Sequence, residues 1–237
     1  MPNGRWIQRG MSVFINNNNN YNKADSLVAL DQLQEDCPKL KWAAPVVSWF
    51  VNSLEVGRGC VLPGVEYQNG VLTTPDVWSV GGFSRDSAYL ISKNENGEPI
   101  YGGSVNDLSL IRYLEELRHR SLKIMLYPMI FVDLKNKPWR GRITGTPEGI
   151  VEFFNKKNGY NDFILHYARM AKGRVDAFVI GSELIGLTKV RDEHNNFPAI
   201  MELVKLASKV KKIVGADVKI TYAADWSEYH HTDWWLV

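Results

Sequence analysis

Apolar residues recur along this chain in two patterns, one at helical spacing and one as near-continuous short runs. From Lys23 the spacing is helical, with Leu27, Leu30 and Leu33 on one face, and it stops at Cys37-Pro38 because proline disfavours helix in the residue before it. Residues 42–51, rich in Val and Trp, read as a strand. Ser104 with Asp107 three residues on resembles a capping box, and Val105, Leu108, Ile111, Leu114 and Leu117 carry an apolar stripe to about His119. Residues 123–132 are almost wholly apolar and end at Asp133, as a buried strand does. Helical spacing returns over roughly 161–172, with Phe163, Ile164, Tyr167, Ala168 and Ala171 on the core face, and the apolar run 175–180 follows. Pro198 suits a first helical turn and Gly215 a C-terminal stop, bracketing a helix with Ile200, Leu203, Val204, Ala207, Val210 and Ile213 inward. Residues 218–224 form the last strand candidate.

Helix, apolar strand, helix, apolar strand is the alternation that gives a parallel sheet with right-handed crossovers. The fold class expected is α/β, a (β/α) TIM-barrel-like architecture. Four strands stand clearly, at 42–51, 123–132, 175–181 and 218–224, with 77–83 a candidate fifth, so the barrel is expected to be incomplete, with roughly the first five of eight strands. Residues 52–100 are dense in Gly, Pro and Asn and carry short β-like pieces at 77–83 and 88–92, which fits a decorated loop or hairpin better than a second domain. Residues 1–22 are polar and include the run Asn16 to Asn20, so they are expected to be a disordered tail ahead of one barrel unit at 23–237.

In such folds chemistry collects at the C-terminal ends of the strands. Reading those ends in order gives Trp49 and Asn52, then Asp133, then Glu183, then Asp225, Trp226 and Glu228. Glu183 is the leading candidate for a catalytic acid, because the run Val175 to Ile180 breaks abruptly into Gly181-Ser182-Glu183. A structural alternative stands beside it: Glu183 caps the strand or pairs with Arg142 or Arg191. Tryptophans grouped with carboxylates suit a sugar, whose C–H face stacks on aromatic rings while its hydroxyls take charged hydrogen bonds. Trp49, Asp133, Arg142, Asp225, Trp226 and Glu228 make up the expected substrate-binding set. Arg140 and Arg142 either orient sugar hydroxyls or pair with barrel carboxylates.

Composition narrows the function. With 237 residues, 45% of them hydrophobic, and eight Trp, the chain can bury a large core. Its net charge of +2 gives no reason to invoke nucleic acid or an anionic membrane. Lys205, Lys209, Lys211 and Lys212 fall late in one helix, where cations complement the helix dipole and face solvent. Cys37 and Cys60 form no metal-ligand spacing and read as packed or idle thiols, and the closing His230-His231-Thr232-Asp233 has no supporting ligand spacing, so no metal or cofactor is expected. The chain shows no signal segment and no run of eighteen apolar residues, so a cytoplasmic or particle-associated location without membrane insertion is expected.

Four stretches carry a resemblance. They are Cys37-Pro38 through Val47-Ser48-Trp49-Phe50; Tyr101-Gly102-Gly103-Ser104 through Tyr127-Pro128 to Asp133; Trp139-Arg140-Gly141-Arg142-Ile143-Thr144; and Phe178 to Thr188 followed by Tyr222-Ala223-Ala224-Asp225-Trp226-Ser227-Glu228-Tyr229. Together they resemble the glycoside-hydrolase TIM-barrel-like domain of gene transfer agent and phage tail tip proteins, the GTA TIM-barrel-like domain. That resemblance implies a place in a tail-hub protein acting on cell-surface glycans, with other hub proteins as partners. It also implies a likeness to clan A glycosidases such as the mannanase-like barrels, which use an acid/base glutamate after one strand and a nucleophilic glutamate after a later one. Glu183 falls at the acid/base position, and Asp225 and Glu228 become substrate-positioning residues. Family members continue beyond the Ala-Asp-Trp-Ser-Glu-Tyr motif, whereas this chain ends at Val237, so the resemblance implies a barrel truncated at its C-terminus and lacking the nucleophile. Two other readings follow: a non-catalytic structural or glycan-binding tail module, and a degenerate fragment.

Overall fold

A computed structural model describes residues 20–21, 23–68 and 76–231. The expected polar tail over 1–22 lies, except for Asn20 and Tyr21, outside the described residues, as do Thr232 and Asp233 of the closing cluster. The helices are α1 (Asp25–Asp36), α2 (Asp107–His119), α3 (Pro147–Asn155), α4 (Tyr160–Ala171), α5 (Ile185–Thr188), α6 (Pro198–Val214) and α7 (Trp226–His231). The strands are β1 (Trp42–Ala43), β2 (Val46–Val51), β3 (Gly64–Val65), β4 (Ser79–Val80), β5 (Phe83–Ser84), β6 (Tyr89–Leu90), β7 (Lys123–Val132), β8 (Ala177–Ser182) and β9 (Lys219–Ala223).

Five strands build one parallel sheet in which β1 and β2 both pair with β7, β7 pairs with β8, and β8 pairs with β9. One register carries both β1 and β2, from Trp42 opposite Lys123 to Val51 opposite Val132, so they act as a single strand broken at Pro45, which has no N–H to give. The sheet thus has four positions, consistent with an incomplete (β/α) barrel. The candidate fifth strand at 77–83 is a correction: β4 and β5 instead form a two-stranded antiparallel hairpin apart from the main sheet. Gly81 and Gly82 turn that hairpin at positive φ, and Gly81 packs so closely on the Trp49 ring that a Cβ would lie 2.9 Å from it. Among the described residues of the 52–100 excursion, β3 and β6 form a second short pair, parallel.

The alternation along β7 shows how the core is layered. Ile124, Leu126, Pro128, Ile130 and Val132 are buried, while Met125, Tyr127, Met129 and Phe131 between them are half-buried. Successive side chains of a strand point to opposite faces, so the first set lies under the helices and the second lines the inner face of the partial barrel. Helices α2, α4 and α6 supply the outer cover, packing on β7, on β7 and β8, and on β8 and β9 respectively. Two boundaries differ from the pattern in the sequence. Asn106, not Ser104, caps α2 through the Leu108 amide, and Ser104 instead ties β2 to β3 by donating to the Ser48 carbonyl and accepting from the Gly64 amide. The inward stripe of α6 is rotated, with Leu206 and Glu202 buried and Val204 exposed. Among the described residues no helix is long and apolar enough to cross a membrane.

Candidate functional site

The site grows out of an irregularity in β8. Val179 pairs with Thr221 and Ser182 with Ala223, so Ile180 and Gly181 together stand opposite Tyr222, which is the two-against-one count of a β-bulge. Gly181 takes the crowded outer place, where a Cβ would come 2.9 Å from the Tyr222 ring and 3.2 Å from the Tyr160 hydroxyl. The extra residue returns Ser182 to the inner face, where its hydroxyl meets the Tyr127 hydroxyl at 2.6 Å.

Glu183 follows at once, with φ of 51°, a left-handed conformation that costs a residue bearing a Cβ about 1–2 kcal/mol. The bonds on either side hold it there. Its own N–H donates to the Ala223 carbonyl at 2.9 Å, and the Leu184 N–H donates to the Tyr222 hydroxyl at 2.8 Å. A stability prediction arises here: Glu183→Gly should be more stable than Glu183→Ala by about 1 kcal/mol, because both lose the carboxylate and only glycine relieves the left-handed backbone. Equilibrium urea unfolding of the two variants checks it.

The carboxylate itself is gripped from one side only. Its Oε2 accepts from the Trp139 indole Nε1 at 2.6 Å and pairs with Arg140 Nη2 at 2.8 Å. Arg140 is also bound to the strand end, donating from Nε to the Ser182 carbonyl and from Nη2 to its hydroxyl, each at 3.1 Å. The Trp139 ring lies against Gly141, where a Cβ would be 2.5 Å from it. Among the described residues Oε1 of Glu183 has no hydrogen-bond partner, and the side chain is 32% exposed beside a Trp139 ring that is also exposed. One carboxylate oxygen anchored and the other open is an arrangement able to give or take a proton at Oε1.

Behind the site lies a second, buried carboxylate. Glu228 is 1% exposed; its Oε1 accepts from the Tyr222 hydroxyl at 2.8 Å and the Thr188 hydroxyl at 2.9 Å, and its Oε2 accepts from the Asp225 amide at 2.8 Å. Burial pushes the Glu228 carboxyl above its ordinary pKa, outweighing these donors. The Tyr222 phenol is raised well above its own ordinary value, first by burial and then by the charge of Glu228.

The second half of the chain carries a family signature. Residues 158–234 match the GTA TIM-barrel-like domain. The matched stretch contains Glu183, Tyr222, Asp225 and Glu228, whereas Trp139 and Arg140 precede it. No curated protein matches the chain. Among solved structures, a GH113 β-1,4-mannanase determined as a complex is 16% identical, with a TM-score of 0.53 over 89% of this chain and 52% of that one. The GH113 β-mannanase AaManA from Alicyclobacillus acidocaldarius, in complex with ManMIm, is 15% identical, with a TM-score of 0.54 over 90% of this chain and 52% of that one. The fold is (β/α) TIM-barrel-like, and the chain spans about half the length of these mannanases.

Within this fold the residues named from sequence are dispersed. Trp49 is 2% exposed and faces the helices: its Nε1 donates to the Tyr167 hydroxyl, and its ring packs on Phe163 and His166 of α4. Asp133 is also buried, with Oδ2 accepting from the Tyr89 hydroxyl at 2.6 Å and the Ser92 amide at 2.9 Å, a tie that pins the long excursion to the end of β7. Burial pushes the Tyr89 phenol up to about 12, with Asp133 adding to the shift. Asp225 caps the first turn of α7, and the Ser227 hydroxyl and amide hold its carboxyl below the ordinary range. Trp226 is 70% exposed, and the Arg142 side chain is exposed with no partner among the described residues. It is Arg140, not Arg142 or Arg191, that pairs with Glu183. Cys37 and Cys60 are free and exposed, and among the described residues no group of three His, Cys, Asp or Glu is placed to hold a metal ion.

Proposed function

We propose that this chain engages a glycan at the Glu183 site, with Glu183 as a general acid/base of glycoside-hydrolase type and Trp139 as the aromatic face against which a sugar ring stacks. The observation that carries the reading is the one-sided grip on Glu183: Trp139 and Arg140 occupy Oε2, and Oε1 is left open at a strand's C-terminal end. The mannanase-like fold supports β-1,4-linked mannan as the first substrate class to try. The name of the family matched over 158–234 is the ground for extending the proposal to a tail-like particle of the gene transfer agent or phage type, acting on cell-surface glycan with hub proteins as partners.

A second reading is glycan binding without turnover. Glycoside hydrolysis needs two carboxyl groups, about 5–9.5 Å apart depending on mechanism. Of the other strand-end carboxylates, Asp133 and Glu228 are buried, Glu228 with both oxygens engaged, and the Asp225 carboxylate is held by Ser227. One panel separates the two: β-linked oligosaccharides are incubated with the chain, and both retention and released sugar are measured. Release of reducing ends supports catalysis, whereas retention alone supports a binding module. Neither would contradict the site. Trp139→Ala is expected to weaken retention about tenfold or more, the loss of one stacking contact worth about 1.4 kcal/mol. Unchanged retention would remove Trp139 from the site.

A further inference from the structure

We propose that Tyr222 and Glu228 form a positioning relay for Glu183, in which the Glu228 carboxylate holds the Tyr222 hydroxyl and that hydroxyl fixes the peptide following Glu183. The relay rests on the reading of Glu183 as the working carboxylate. It gives a role to two groups that proton transfer at Oε1 does not use.

The direction of a side chain on a turn is set by the planes of its two flanking peptides. On one side of Glu183 the N–H is taken by Ala223 of β9. On the other side the Leu184 N–H finds no strand carbonyl and donates to the Tyr222 hydroxyl. That hydroxyl has one proton, and at 2.8 Å the Glu228 Oε1 takes it. The phenol is thereby polarised toward Glu228 and presents a lone pair to the amide. Without Glu228 the hydroxyl loses the acceptor that polarises it. Without the hydroxyl the left-handed backbone at Glu183 loses its downstream support.

A buried carboxylate is costly to keep, and its raised pKa records that cost. Packing between α5, β9 and α7 needs only an apolar side chain of similar volume. What an apolar residue cannot do is accept from Thr188, Tyr222 and the Asp225 amide together, and so join the start of α7 to the backbone beside Glu183. The Gly181 bulge completes the arrangement, since a side chain there would displace the Tyr222 ring.

The test is made on the full chain by following indole N–H resonances, with no glycan added. The Trp139 signal is identified by its absence in Trp139→Phe, and Glu183→Ala marks its position when the acceptor is gone. Tyr222→Phe is expected to move the Trp139 resonance most of the way to the Glu183→Ala position, and Glu228→Gln to move it in the same direction by less. Tyr160→Phe is the control, because the fully buried Tyr160 hydroxyl bonds the Ile180 carbonyl on the same strand without touching the peptides beside Glu183. It should cost stability and leave the resonance in place. The relay is overturned if Tyr222→Phe leaves Trp139 at its wild-type position, or if Tyr160→Phe moves it as far. Should Tyr222→Phe not fold, Glu228→Gln decides alone: an unmoved resonance overturns the relay. An intact relay in a chain that binds no glycan would remove the proposed function and leave this inference standing.

Discussion

Trp49→Ala is expected to destabilise the chain by about 3–5 kcal/mol, the range for truncating a large buried aromatic. Trp49 lies between β2 and α4, with its ring 5.3 Å from Phe163, 5.6 Å from His166 and 6.4 Å from Phe83. Its removal opens a cavity where the excursion hairpin meets the sheet, since Gly81 rests directly on the ring. It also leaves the Tyr167 hydroxyl, fully buried, without the indole donor. Trp49→Phe keeps most of the packing and loses that bond, so about 1–3 kcal/mol is expected. Urea unfolding should show the midpoint falling in this order with the slope unchanged. Glycan retention by the folded Trp49→Phe chain should match wild type. Selective loss of retention with normal stability would put Trp49 at a sugar surface.

The second large effect concerns Glu183→Gln. If Glu183 donates a proton to a departing oxygen, the variant should lower turnover on unactivated glycans by about 10²–10⁴ and on aryl glycosides with good leaving groups by much less, because those need little protonation. Glutamine preserves shape and can still accept from Trp139, so the difference reports the ionisable proton and the charge facing Arg140. Equal loss on both substrate types would make Glu183 a binding residue. Turnover absent in wild type together with intact retention selects the binding module.

The frame of the fold was legible because buried parallel strands leave a plain mark: residues 124–132 and 177–180 carry no charged residue on either face. The same property hides which face a given side chain takes. Trp49 sits near a strand's C-terminal end, where sugar-binding aromatics belong, yet it points at α4; a run apolar on both sides carries no sign of the difference. The Oε2 grip on Glu183 was out of reach for another reason, since Trp139 and Arg140 lie more than forty residues upstream and meet it only through sheet topology. From sequence the expected ion-pair partner of Glu183 is Arg142 or Arg191, and the chain uses Arg140 instead. The short 3-10 turn from Arg140 to Arg142 decides between those two, because residues two apart on such a turn face different ways. One local signal in the sequence does mark the site: a glycine inside a strand points to a bulge, and Gly181 is what turns Ser182 inward and starts the left-handed step at Glu183. Glu228 follows a strand end, as a substrate-binding residue would, and nothing local in Asp225-Trp226-Ser227-Glu228 shows that α7 folds it inward toward Tyr222 and Thr188.

The most direct measurement of the central claim is a titration of the full chain with β-1,4-linked manno-oligosaccharide, following the indole N–H resonances of Trp139 and Trp49 in one spectrum. The Glu183 site predicts a saturable shift of Trp139 with Trp49 unmoved, because the first is exposed beside Glu183 and the second is sealed under α4. Oligosaccharide that binds and leaves Trp139 unmoved would contradict it.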